Sequence, residues 1–119
     1  MIDHVTLHVS NIERSKAFYL AALAPLGYKM MMDYGKAVGF GATNPDLWLS
    51  EKEDAKATHI ALAADSTQTV DEFHEAALAA GGKDNGAPGI RADYSPTYYA
   101  AYMHDPDGNN IEVVCDKEQ

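Results

Sequence analysis

The chain repeats itself at a fixed spacing. Moved along itself by 55 residues, it sets His4 on His59, Leu7 on Leu62, Phe18 on Phe73, Ala21 on Ala76, Ala22 on Ala77, Leu23 on Leu78, Ala24 on Ala79 and Gly27 on Gly82. Alanine-rich stretches coincide readily, but matches of His, Phe and Gly at one offset do not. The matched region covers a strand-like stretch and the helix-like stretch after it. A fold for this chain must therefore hold two similar units in tandem.

Each unit reads the same way. Residues 2–9 alternate, with Val5, Leu7 and Val9 on one face and Ile2, His4, Thr6 and His8 on the other. Ser10 and Asn11 can cap a helix over 12–26 that buries Phe18 and Ala22, with Gly27 as its stop. Strands are expected at 28–34, 36–41 and 46–50, and the charged stretch 51–56 is the natural boundary. The second unit opens with a strand at 58–64, Ile60 and Leu62 facing one way and His59, Ala61 and Ala63 the other. Asp65 or Ser66 caps a helix with Val70, Phe73, Ala77 and Ala80 on one side, ended by Gly81 and Gly82. Residues 84–96, rich in Gly and Pro, read as a long loop. Two last strands follow, joined by Asp105-Pro106-Asp107-Gly108, whose order suits a type I turn. Aligning Ile111 and Val113 with Leu47 and Leu49 puts Glu112 opposite Trp48 in the repeat. The fold class expected is α+β: one domain over 1–119, made of two tandem βαβββ modules, about 1–55 and 56–119, forming a curved mixed sheet.

A chain of 119 residues can bury a core without disulfides, and its single cysteine permits no intrachain disulfide and fits a reducing, cytoplasmic setting. Eighteen acidic against nine basic residues give a net charge of −9, which opposes nucleic-acid and anionic-membrane binding. The first residues lack a basic stretch followed by an apolar run, so no secretory signal is expected. No segment approaches the roughly 20 apolar residues of a membrane span.

Glu112 sits between Ile111 and Val113, so it faces either water or a site that needs a charge. The repeat places His4 and His59 at matching positions, away from the apolar rows. If two sheets curve toward each other, both imidazoles and Glu112 point into one concavity. Two His and one carboxylate form a facial set for a divalent Fe, Mn, Ni, Co or Zn ion. Hairpin pairing brings Tyr102 beside Glu112, and alternation adds Tyr98, Ala100 and His104. The tyrosines either line an aromatic pocket with Trp48 and Met30 or Met32, or are ordinary strand aromatics. Tyr102 or His104 at the rim can move a proton. Residues 86–96 can close over a ligand, and Arg91 can pair with a substrate carboxylate. His8 reads as lining or surface, and His74 as a solvated helix residue.

The stretches DHVTLHVSNIERSKAFY, THIALAA and AAYMHDPDGNNIEVV resemble the vicinal oxygen chelate superfamily, which includes glyoxalase I, fosfomycin-resistance thiol transferases, extradiol dioxygenases and bleomycin-resistance proteins. The resemblance implies paired βαβββ modules around a metal held by His4, His59 and Glu112. It also implies Thr6 and Trp48 as substrate-lining positions. The fourth ligand of glyoxalase I, a Glu, is replaced by Trp48, and a basic phosphonate-binding set is not evident. Two functions follow. One is a metal-dependent enzyme acting on a small substrate with neighbouring oxygens, by lyase, isomerase, thiol-transfer or dioxygenase chemistry. The other is a metal-free protein that sequesters a drug-like molecule. The resemblance further implies a homodimer with sites shared between chains.

Overall fold

The computed structural model describes residues 1–117 and contains two four-stranded sheets with identical topology. Strand β1 (Val5–Val9) is followed by helix α1 (Ile12–Ala22), a 3-10 turn (Ala24–Leu26), β2 (Lys29–Asp33), β3 (Ala37–Gly41) and β4 (Leu47–Glu51). The second module repeats this with β5 (His59–Ala63), α2 (Thr67–Ala79), β6 (Lys83–Ile90), β7 (Tyr98–His104) and β8 (Asn110–Asp116). The strand orders are β1-β4-β3-β2 and β5-β8-β7-β6. In each sheet the first strand lies parallel to the last, and the other pairs are antiparallel. The register carries the duplication to single residues. Thr6 pairs with Trp48 and Ala61 pairs with Glu112, so Trp48 and Glu112 are equivalent positions.

Local chemistry explains the element ends. Asn11 caps α1 by accepting the Arg14 N–H at 3.0 Å, and Ser66 caps α2 by accepting the Thr69 N–H at 3.2 Å. The first helix stops at Ala22 rather than 26, because Pro25 lacks the N–H that would continue it. Gly27 then turns the chain at φ +80°. Gly41 ends β3 where a Cβ would stand 1.7 Å from the Asn44 carbonyl oxygen.

The expected long loop over 84–96 is largely strand. Residues 83–90 pair with β7 as an edge strand, with register shifts on both sides of Gly86. Two conditions allow this. An edge strand tolerates Pro88 without losing a ladder bond, and glycine accommodates the bulges.

One face of each sheet is covered by its own helix, and the two helices pack on each other. Leu7, Val9, Phe18, Tyr19, Phe40, Leu47 and Leu49 of the first module join Val70, Phe73, Met103, Ile111 and Val113 of the second in one continuous core. The opposite faces carry Thr6, His8 and Trp48 on one sheet and His59, Tyr98 and Tyr102 on the other. These residues are exposed or half-buried. Among the described residues, no helix is long and apolar enough to cross a membrane.

The modules are joined by a polar lock around the β7–β8 turn. Asp105 is buried and accepts four hydrogen bonds: Tyr19 Oη at 2.5 Å, Asn109 Nδ2 at 2.8 Å, and the backbone N–H groups of Asp107 and Asn109 at 2.9 and 2.8 Å. Burial, then the Asp105 charge and hydrogen bond, hold the Tyr19 phenol well above its usual range. The neutral phenol is therefore favoured in the fold. Its contribution is complete below the unfolded tyrosine pKa of about 10 and is lost as pH rises above it. Tyr19→Phe is expected to lower unfolding free energy by about 1–2 kcal/mol at neutral pH. Denaturant titrations at neutral and strongly alkaline pH should show the wild type losing more stability between the two than this variant. An equal loss in both would place the alkaline sensitivity elsewhere.

Candidate functional site

Alternation along β8 sends Ile111, Val113 and Cys115 to the helix side and Glu112 to the open side. The ladder places Tyr102 directly across from Glu112 on β7, and Ala61 across from it on β5. The Ala61 methyl group leaves space beside the carboxylate. His59, two residues before Ala61 on β5, and Tyr98, four residues before Tyr102 on β7, reach into that neighbourhood. His59 Nε2 lies 3.0 Å from Glu112 Oε1, and the Tyr98 hydroxyl donates to Oε2. Glu112 is 3% exposed, whereas the His59 side chain is 52% exposed. A glutamate so buried is held by its partners.

These groups form the wall of a cleft of about 490 Å³ lined by His59, Tyr94, Tyr98, Tyr102, Asn110 and Glu112. The hydrogen bond to Glu112, followed by burial and the carboxylate charge, pushes the Tyr98 phenol up, so it stays protonated at neutral pH. Tyr102 is raised as well, chiefly by burial and the charge of Glu112, with Arg91 pulling the other way. The Arg91 guanidinium lies over the Tyr102 ring, 5.2 Å from its centroid, and donates to the Ala87 carbonyl at 2.7 Å. A Cβ at Gly86 would come within 2.8 Å of Tyr102 Cδ1 and 3.2 Å of Arg91 Nη2. The glycine-rich edge strand thus makes room for this stack. Tyr94 packs edge-on against Tyr98 at 5.1 Å and narrows the cleft.

The other candidate residues lie elsewhere in the chain. His4 precedes β1, with Nδ1 2.7 Å from Asp3 Oδ1, and lines a separate hollow with Tyr28, Asp46 and residues 60–62. Thr6 and Trp48 are neighbours on the open face of the first sheet, where Trp48 stacks on Tyr34 at 6.1 Å. His104 is half-buried, with Nδ1 3.3 Å from the Gly108 carbonyl, and does not line the His59–Glu112 cleft. His74 is not solvated as expected: it packs on α2 with Nε2 2.8 Å from Asp84 Oδ1 on β6. The extension of β6 through residues 83–90 brings Asp84 there. Sequence reading did not single out Asn110, which pairs with His59 across β5 and β8 and lines the cleft. Its position next to Glu112 on the last strand was the available signal.

A divalent ion of the kind the donor chemistry suits would find two donors here, the His59 imidazole and the Glu112 carboxylate. Among the described residues of one chain, no three His, Cys, Asp or Glu side chains gather closely enough to hold an ion.

Comparison with known proteins agrees with the fold. A crystallised glyoxalase/bleomycin resistance protein from Albidiferax ferrireducens T118 superposes with a TM-score of 0.81 at 28% identity, over 97% of this chain and 98% of that one. A glyoxalase I variant from Zea mays matches with a TM-score of 0.71 at 26% identity, over 95% of this chain but 46% of that one. A glyoxalase/bleomycin resistance protein/dioxygenase family enzyme from Burkholderia phytofirmans PsJN shares the fold with a TM-score of 0.75 at 17% identity, over 98% of both chains. No curated protein matches. The sequence profile of one superfamily covers residues 1–113. Duplicated modules, sheet topology and that profile agree: the chain belongs to the Glyoxalase/Bleomycin resistance protein/Dioxygenase superfamily.

Proposed function

We propose that this chain is a metal-dependent enzyme for a small substrate with two neighbouring oxygens, and that its site is completed by a second copy. The carrying observation is Glu112: a carboxylate removed from water yet held between an imidazole and a phenol at the wall of an open cleft. His59 and Glu112 of one copy and His4 of the other would hold the ion. His4 is half exposed and, among the described residues, engaged by the adjacent Asp3 alone, which leaves it accessible to a partner. The uncovered face of the first sheet, with Thr6 and Trp48, would close over the tyrosine-lined cleft of the other copy.

A bound divalent cation supplies Lewis-acid stabilisation of an oxyanion on the substrate. The chain's own residues do the rest. Tyr94, Tyr98 and Tyr102 exclude water and offer ring faces and edges to an apolar substrate body. Tyr98, protonated, fixes the rotamer of Glu112. Tyr102 presents a second phenol beside the carboxylate, in position to hold or pass a proton. Arg91 keeps the Tyr102 ring in place, and reaching a substrate carboxylate would require it to leave the Ala87 carbonyl. His104, facing another hollow, is not needed for this chemistry.

A second reading has its own support. Both oxygens of Glu112 already have donors, so the carboxylate is satisfied without a cation. A protein that sequesters an aromatic molecule needs only the tyrosine cleft.

Metal content separates these readings. Purified protein is expected to carry one transition-metal ion per chain by elemental analysis, and His59→Ala and Glu112→Gln are each expected to carry less than a tenth of that. Metal-free wild-type protein that still binds aromatic ligands would favour sequestration instead. The shared-site arrangement makes a sharper forecast. Homodimers of His4→Ala and of Glu112→Ala should both be empty. A heterodimer of the two, purified through different tags, should regain one ion, because one of its two sites draws only on intact halves. Empty heterodimers would restrict the site to a single chain.

A further inference from the structure

We propose that His74 and Asp84, on the helix side of the second sheet, are positioning residues for the tyrosine cleft on its open side, acting through the bulge at Gly86. The proposal rests on the reading of Tyr102 as a phenol that holds a proton beside Glu112. Neither residue lines the cleft itself.

Strand β6 is paired on one side only, so its path is easily bent. It shifts register twice, between Asp84 and Gly86 and again between Gly86 and Gly89. Asp84 stands opposite the buried Met103 and so faces α2. Its Oδ1 accepts the Gly86 N–H at 3.0 Å, which closes the first bulge with a bond from side chain to backbone. The same oxygen lies 2.8 Å from Nε2 of His74, whose side chain is 12% exposed. These bonds, that of His74 first, hold the Asp84 carboxyl below the usual carboxylate range. An ionised Asp84 only accepts, so Nε2 of His74 carries the proton. The imidazole thus ties the carboxylate, and through it the bulge, to the helix.

The bulge decides what the open face carries. Gly86 pairs with Tyr102, and a Cβ there would stand 2.8 Å from Tyr102 Cδ1. A Cβ at Gly89 would come within 3.2 Å of Arg91 Nη1. Ring and guanidinium therefore occupy room left by the backbone path of residues 86–89. Ala87, between the two glycines, supplies the carbonyl that receives Arg91. Asn85, left unpaired by the first register shift, donates through Nδ2 to Asn110 Oδ1 at 3.2 Å, and Asn110 lines the cleft. The Tyr102 ring, the Arg91 guanidinium and Asn110 all take their places from this stretch.

The Arg91 side chain reports on the arrangement. The chain has two arginines, Arg14 and Arg91, so Arg91→Lys assigns their Nε–H signals in a nitrogen–proton NMR spectrum of the isotope-labelled, full-length protein. The Arg91 signal is expected upfield of the Arg14 signal, displaced by the ring current of Tyr102, and Tyr102→Leu should abolish the displacement. Asp84→Ala and His74→Ala should each remove at least half of it. Asp84→Asn removes the charge but keeps an oxygen for both donors, and should retain it. Dispersed backbone amide signals in the same spectra show that a variant is folded. Should Asp84→Ala not fold, His74→Ala against His74→Gln, which restores an N–H donor, makes the same comparison. A displacement that survives Asp84→Ala and His74→Ala, even with a lower Tm, would confine the pair to stability and overturn the proposal. Equal losses in Asp84→Asn and Asp84→Ala would assign the effect to charge and overturn it too, as would a wild-type signal with no displacement. Neither metal nor substrate enters this measurement, so its failure is separate from a failure of the metal-content test above.

Discussion

The arrangement of the two modules depends on one buried carboxylate. Asp105 lies at the start of a tight turn, where the Gly108 N–H closes back onto its carbonyl at 3.0 Å. Its side chain gathers two backbone N–H groups of that turn, an amide from Asn109 and the phenol of Tyr19. The last of these reaches across from α1 of the other module. Asn109 in turn accepts the Thr58 N–H at 2.8 Å, which ties the turn to the start of β5. A buried charge is tolerable only when donors replace the lost water, and here four do so. One set of hydrogen bonds therefore fixes the module junction, the β7–β8 hairpin and the alignment of β5 with β8. Glu112 is two residues beyond Asn110 on β8, and His59 pairs with Asn110, so the geometry of the cleft follows from the same lock.

Duplication has a second consequence. Each sheet has an apolar face and a polar face, and each apolar face is covered by its own helix. Both apolar faces and both helices contribute to one core, and the polar groups lie on the uncovered faces. The residues capable of chemistry are therefore divided between two sheets: Thr6 and Trp48 belong to one, His59, Tyr98, Tyr102 and Glu112 to the other. The expected convergence of His4 with His59 and Glu112 rested on two sheets curving toward each other. In the structure His4 lies in a separate hollow with Ile60, Ala61 and Leu62 of β5 and does not join the His59–Glu112 pair.

Much of the site was legible because β-strands obey strict alternation. Once Asp105-Pro106-Asp107-Gly108 is read as a turn, the pairing of Tyr102 with Glu112 and the inward position of Tyr98 follow by counting. The equivalence of Trp48 and Glu112 followed from the repeat and holds in the ladder register. Other features were hidden. Residues 83–90 carry two glycines and a proline, a loop signature, yet pair as a bulged edge strand because β7 offers a free edge. His74 looked like a surface residue on an amphipathic helix, and only the placement of β6 supplies Asp84 as its partner. His104 shares strand parity with Tyr98 and Tyr102, but it sits at the strand end beside the turn and lines another hollow.

The amino-acid order by itself determined the two modules, the faces of their strands, their helix caps and the turn that precedes Glu112. These are local properties, set by side-chain period and by the conformational limits of Gly, Pro and capping residues. Tertiary structure alone decided that residues 83–90 pair with β7, that His74 meets Asp84, and that Glu112 is enclosed by His59 and Tyr98 rather than by water. Those outcomes depend on how two sheets and two helices pack, and packing is governed by contacts between residues far apart in the chain, which no period along it encodes.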